Sequence, residues 1–289
     1  MRWPLSSKRA CWLLTGCVLL TCLGSAPAAE TDDELFDWLL APDMPSSLNL
    51  SISLNDDSRG YTLGYSYDAD QLGQFSIIGN RSHTDSNSPD NDSQQWRLGW
   101  DSDAFGPWTI GLSAGGWQTD TLLDTRDYAA SLAWWADRFS FHLTPGWRHV
   151  KLSLPNGSRS THAASLGATV RITDFSVGLT RYDYSQDLKR LGRLLDHRFR
   201  RVPASALDLL LTLEKQRLSF DYRVPLQQSD IGLRFDRSTS ALTDEDLDLA
   251  TGYVDFNINT RWDGLLEIGH ASQKGGGTAV ASLGVGYHW

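Results

Sequence analysis

The chain has 289 residues, 40% apolar and 21% charged, with 25 Gly, 12 Trp and 35 acidic against 26 basic side chains. A mean hydropathy of −0.34 and a single long apolar run exclude a bundle of membrane-spanning helices, and the apolar fraction excludes a disordered chain. The acidic balance argues against nucleic acid as a partner.

Residues 1–28 read as a cleaved signal peptide. Arg2, Lys8 and Arg9 give a basic start, and Ala10 to Leu23 an apolar run too short for a comfortable span. Ala26-Pro27-Ala28 gives a small-x-small site with the cut after Ala28. Leu14-Thr15-Gly16-Cys17 offers a lipoprotein box instead, but strongly apolar residues follow its cysteine. Cleavage removes Cys11, Cys17 and Cys22 and leaves 23 basic against 35 acidic residues, a formal charge of −12. An exported chain without cysteine has no disulfide framework and no thiolate metal site. It also lacks zinc-helix, phosphate-loop and EF-hand motifs, so no cofactor or metal is expected.

Residues 29–46 form a leader. An acidic start at 31–34 is followed by Leu35, Phe36, Trp38, Leu39 and Leu40, then by Pro42 and Pro45. This suits a short helix, either plugging one mouth of the fold or lying on the lipid surface in the periplasm.

From Ser47 to the C-terminus the hydrophobic period is two. Tyr61, Leu63, Tyr65 and Tyr67 alternate with Thr62, Gly64, Ser66 and Asp68. Trp108, Ile110 and Leu112 alternate with Thr109, Gly111 and Ser113. Short turns are expected at Phe105-Gly106-Pro107, Asp137-Arg138, Thr173-Asp174, Lys215-Gln216 and Trp262-Asp263-Gly264. The opposite connections are longer and polar: 83–92, 118–126, 150–160, 185–203, 237–248 and 272–277. Expected strands are 47–55, 59–68, 73–82, 94–102, 107–118, 126–136, 138–149, 161–172, 174–184, 204–214, 217–226, 250–260, 264–272 and 278–289. Ile231, Leu233 and Phe235 also alternate but fall in a connection. Counting them together with 191–201 gives 16 strands, and losing a weak hairpin gives 12. The class is all-β, an antiparallel up-and-down barrel of 14 strands. On nearly every strand one face is apolar and aromatic, the other Gly, Ser, Thr or charged, which is the pattern of lipid outside and a polar lumen.

The last strand reads Ala281-x-Leu283-x-Val285-x-Tyr287-x-Trp289. It resembles the C-terminal β-signal of bacterial outer-membrane β-barrel proteins. The resemblance implies a transmembrane barrel over 47–289 in the outer membrane, with Leu283, Val285, Tyr287 and Trp289 read by the barrel-assembly machinery. Outer-membrane lipid and lipopolysaccharide are then its surroundings.

Alternation turns Arg97, Asp101, Asp127, His142, Arg148, Arg171, Asp255 and Arg261 inward, among small residues that leave room. A passive channel or small-solute transporter is the expected function. A structural or interaction barrel is the alternative, resting on the polar loops. A membrane-embedded hydrolase acting on lipid or lipopolysaccharide is a second, resting on His149 and His162, which flank one outer loop. Asp244, Glu245, Asp246 and Asp248 have the composition of a hard-cation site or of a solvated loop. Lys189, Arg190, Arg193, Arg198, Arg200 and Arg201 make the densest basic run. It suits lipopolysaccharide phosphates, an anion-drawing segment folded into the pore, or an exposed mixed-charge loop.

Overall fold

Backbone polar groups that face lipid must find partners within the protein, so a chain of alternating strands has to pair every edge and close. The computed structural model describes residues 46–289 except 56–57, 70–71, 85–91, 120–122, 155–156, 187, 189–212, 228 and 275. In it fourteen antiparallel strands form a closed barrel. They are β1 (Ser47–Asn55), β2 (Ser58–Asp68), β3 (Gln74–Thr84), β4 (Ser93–Asp101), β5 (Trp108–Thr119), β6 (Leu123–Ala136) and β7 (Phe139–Leu154), followed by β8 (Gly157–Ile172), β9 (Phe175–Tyr184), β10 (Glu214–Pro225), β11 (Ser229–Ser240), β12 (Asp246–Asn257), β13 (Trp262–Gln273) and β14 (Gly276–His288). Each pairs with its sequence neighbours, and β14 closes on β1 from Ser47 opposite His288 to Asn55 opposite Val280. The signal segment, the leader up to Pro45 and the basic run at 189–201 lie outside the described residues.

The strand number is the expected one, with one strand exchanged. The turn expected at Lys215-Gln216 is absent. Both residues belong to β10, at a register irregularity between Glu214 and Gln216. A bulge, not a reversal, explains the polar step there. Most of the expected strand 204–214 lies outside the described residues. The segment of Ile231, Leu233 and Phe235, expected in a loop, is β11. Strands also extend further than expected at the end opposite the turns. β7 and β8 have 16 residues each and are joined through 155–156, so most of 150–160 is strand.

The turn before β13 falls at 258–261, earlier than expected. Asn259 Oδ1 accepts the backbone N–H groups of Arg261 at 2.9 Å and Trp262 at 3.1 Å, an Asx turn that reverses the chain before Trp262. The rim with this link and those at 137–138 and 173–174 is the turn rim. The opposite rim, which carries 185–213, is the loop rim.

Pleating sends successive side chains to opposite faces. On β2, Tyr61, Leu63, Tyr65 and Tyr67 are exposed, whereas Gly60, Thr62, Gly64 and Ser66 are buried. The same division runs around the barrel and wraps it in an apolar band. At the turn rim the seam between β14 and β1 is clasped by rings. Trp289 lies 6.0 Å from Tyr65 and 5.9 Å from Tyr287, which lies 4.8 Å from Trp262. The Trp289 backbone N–H donates to the Ser46 carbonyl at 3.1 Å.

Changing Trp289 to Ser, or deleting it, is expected to lower the fraction of folded, heat-modifiable protein recovered in outer membranes, read as a gel shift. Leu233, 62% exposed in the middle of the β11 band, tests the lipid face. Leu233→Arg is expected to cost about 2–4 kcal/mol in urea unfolding from lipid vesicles. Ser51→Asn, on the inner face, should stay within about 0.5 kcal/mol of the parent. The opposite ranking would show the faces to be reversed.

Candidate functional site: the lumen

Small and polar residues occupy the inner face because alternation leaves them no other place. The walls differ. Along β14, β1, β2 and β3 the inner face is mostly Ser, Thr, Asn and Gly, exemplified by Ser282, Ser47, Ser53, Thr62, Ser66 and Asn80, with Ile78 and Val280 among them. Ser47 Oγ pairs with Ser66 Oγ at 2.9 Å, and Asn80 Nδ2 donates to Thr62 Oγ1 at 3.0 Å.

Along β10 to β13 the inner face is charged. Arg234 places Nε 3.5 Å from Asp221 Oδ2 and Nη1 3.1 Å from Glu267 Oε1. Ser282 donates to Glu267 Oε2 at 2.8 Å, and Tyr253 donates to Asp221 Oδ1 at 3.3 Å, with its ring 5.0 Å from the Arg234 guanidinium carbon. Gly232, the register partner of Tyr253, makes this possible, since a Cβ there would collide with the ring. Nearer the loop rim, Arg217 Nε lies 3.4 Å from Asp236 Oδ1, both buried. At the turn rim, Arg223 pairs with Asp230 and lies 3.9 Å from Asp255. His288 Nε2 lies 2.8 Å from Asp263 Oδ2.

Across the lumen, Arg148 on β7 is 4% exposed. Its Nε donates to Asp127 Oδ1 at 2.6 Å, and its guanidinium lies 4.4 Å from the centre of the Tyr182 ring. With Arg97, Glu214 and Arg217, these residues line a cavity of about 60 Å³, room for only a few waters. Ser113, Thr144, Ser165 and Thr180 complete its wall with hydroxyl groups.

Above this chamber the lumen is apolar. Trp117 on β5, Leu123 on β6, and Val150 and Leu152 on β7 meet Leu188, Leu213, Ala241 and Leu242 from the connections at the loop rim. The Ala241 N–H donates to the Leu213 carbonyl at 2.7 Å and ties the β11–β12 link to the start of β10. Residues from one side of the barrel thus meet residues from the other and narrow the lumen with apolar side chains.

The residues singled out from sequence are distributed over several places. Arg97, Asp127 and Arg148 share the chamber. His142 lies lower, its Nε2 3.3 Å from Ser140 Oγ and its ring edge-on to Trp135 at 4.9 Å, with Arg171 facing inward on the adjacent strand, opposite Ser140. Asp101 is buried at the turn rim, where a Cβ on Gly111 would collide with it and with Ser131. Arg261 is exposed in the 258–261 link and not on a strand, because the Asx turn comes earlier than expected. His149 and His162 are register partners on the outer face, and His162 stacks on Trp147 at 4.8 Å. The acidic residues 244–248 go to separate partners: Asp244 to Lys215, Asp246 to Thr239 and Asp248 to Arg237. Arg234 and Asp236 were hidden from sequence reasoning by the placement of 229–240 in a loop. Their signal was present in Ile231, Leu233 and Phe235, whose intervening residues are Gly232, Arg234 and Asp236.

Replacing Arg234 by Met leaves Asp221 and Glu267 without their shared cation, an expected loss of about 1–3 kcal/mol. Adding Glu267→Gln should recover part of it in a double-mutant cycle followed by urea unfolding. Strict additivity would show the pair to be uncoupled.

No protein-family model and no curated protein matches the chain. Solved structures do. The barrel is similar to the CymD monoaromatic hydrocarbon channel, with a TM-score of 0.51 and 8% identity over 86% of this chain and 91% of that one. The outer membrane protein Omp33 of Acinetobacter baumannii gives 0.49 and 10% over 86% and 99%, and the KdgM porin 0.45 and 9% over 84% and 99%. At these identities the likeness concerns the fold, which is that of bacterial outer-membrane β-barrels.

Proposed function

We propose that the chain is a narrow passive channel for small polar solutes across the outer membrane, with a preference for cations. The observation that carries this is the inner face, lined from the turn rim to the chamber by hydroxyl, amide and charged groups inside an apolar outer band. Around Arg217, Arg223 and Arg234 stand Asp221, Asp230, Asp236, Asp255 and Glu267, so carboxylates outnumber guanidinium groups on the charged wall. A net negative lining concentrates cations in a low-dielectric passage.

In this reading residues 1–28 direct export and are removed after Ala28. Leu283, Val285, Tyr287 and Trp289 present the terminal strand to the barrel-assembly machinery. The loop rim faces out into lipopolysaccharide, whose phosphates are the proposed partner of the basic run 189–201. A sealed structural barrel is the second reading, and the apolar cluster around Trp117, Val150 and Leu152 favours it. The hydrolase reading draws less support, because His149 and His162 project from the outer face.

Planar-bilayer recording of refolded protein tests the proposal. Small discrete conductance steps and a cation-side reversal potential in a salt gradient are expected, and a silent barrel overturns the channel. Asp221→Asn with Glu267→Gln should move the reversal potential towards the anion side. Val150→Ser with Leu152→Ser should raise conductance about twofold or more by wetting the apolar constriction.

A further inference from the structure

The outer face of the barrel carries an asymmetry that a channel does not need. On the turn rim the apolar band ends in aromatic residues: Tyr67, Trp108, Trp134, Phe139, Phe175 and Trp262. On the loop rim the first outward side chain beyond the band is Arg59 on β2, Arg126 on β6, His149 on β7, His162 on β8, Arg181 on β9 and Arg237 on β11. On a chain with more acidic than basic residues, cations recur at the loop-rim end of the outer face on these six strands.

Some of this collar is already engaged. Arg81 and His83 hold Asp92 at 2.8 and 2.5 Å and keep its carboxyl below the usual carboxylate range, and Arg237 makes two hydrogen bonds to Asp248. The stretch from β6 to β8 differs. Arg126 is in register with His149, and His149 with His162, so the three stand side by side on adjacent strands. Cross-strand neighbours lie about 5 Å apart, so the row spans about 10 Å. Among the described residues no ion pair engages Arg126 or His149. Asp124 and Lys151 face each other in register one step further out. Directly below the row, Tyr128 and Trp147 are half exposed at the edge of the apolar band, and His162 stacks on Trp147 at 19° between ring planes.

We propose that Arg126, His149 and His162, over the Trp147 and Tyr128 rings, form a docking site for a phosphorylated glycolipid of the outer leaflet. The guanidinium and imidazole groups would take its phosphate, and the rings would pack against its sugar and acyl junction. The chemistry fits the height: amphipathic rings mark the level where acyl chains give way to headgroups, and anionic phosphates lie immediately beyond. Arginine supplies planar, two-pronged donation to phosphate oxygens. The site rests on the outer-membrane placement proposed above and is independent of whether the lumen conducts.

The test uses full-length mature barrel refolded in detergent, with bisphosphorylated lipid A and its dephosphorylated form as probes. Binding is followed by native mass spectrometry and by tryptophan emission, and folding by heat-modifiable mobility. The parent is expected to prefer the phosphorylated probe by about tenfold or more, and Arg126→Ala with His149→Ala and His162→Ala to lose that preference while staying folded. Arg126→Lys should retain part of it, and the uncharged control Gln94→Ala with Gln118→Ala, on adjacent strands in register with Asp124, all of it. Equal binding of the two probes by the parent, or an unchanged preference in the triple variant, overturns the site. A folded parent that binds neither probe overturns it as well. A parent that fails to insert into lipid vesicles instead removes the membrane placement, and the site falls with it.

Discussion

Closure of the sheet is the constraint on which the rest of this structure depends. In a bilayer the backbone groups of an open edge would have no partner, each at a cost of several kcal/mol. β14 therefore has to meet β1, and the Ser47–His288 to Asn55–Val280 register is where the barrel becomes stable in lipid. Even strand number follows, since β1 starts and β14 ends at the same rim. So does the placement of Trp289, whose ring lies beside Tyr65 and Tyr287 across the seam and holds the last strand at the depth its neighbours define.

Closure and pleating together also fix the chemistry of the lumen. Every apolar residue spent on the lipid face obliges a neighbour to point inward, and a tube of this width holds those neighbours in a partly wet space. Charges are tolerated there where they find a partner nearby: Arg148 with Asp127, Arg217 with Asp236, Arg234 with Asp221 and Glu267. The pairing stays mostly within adjacent strands, so the walls keep distinct characters, one of hydroxyls and amides and one of alternating charge. The apolar cluster at the loop rim departs from this pattern. Trp117, Leu123, Val150 and Leu152 face inward yet are apolar, because Leu188, Leu213, Ala241 and Leu242 at the loop rim pack on them. For the proposed channel, that narrowing, more than the charged wall, is the feature that limits passage.

Much of the fold was legible because the period-two signal is strong wherever one face meets lipid. The outward rows Tyr61 to Tyr67 and Trp108 to Leu112 identify their strands by themselves. The signal failed where its punctuation misled. Lys215-Gln216 looks like a turn but is a bulge inside β10, and Ile231, Leu233 and Phe235 alternate yet fall in a connection once 204–214 and 217–226 are counted as a hairpin. Both errors have one source: polar residues mark a turn, a bulge or a lumen-facing position equally well, and only pairing with β9 and β12 tells them apart.

The sequence by itself determined the class, the number of strands and the apolar outer face, since alternation is a local property that each strand carries within its own residues. Only the tertiary structure decided which inward charges meet, that Arg97, Asp127 and Arg148 share one chamber, and that His149 and His162 stand on the lipid side beside Arg126. Those relations depend on inter-strand register and on how the long connections fold. A shift of one residue there changes every partner, and no single strand records its neighbour's register.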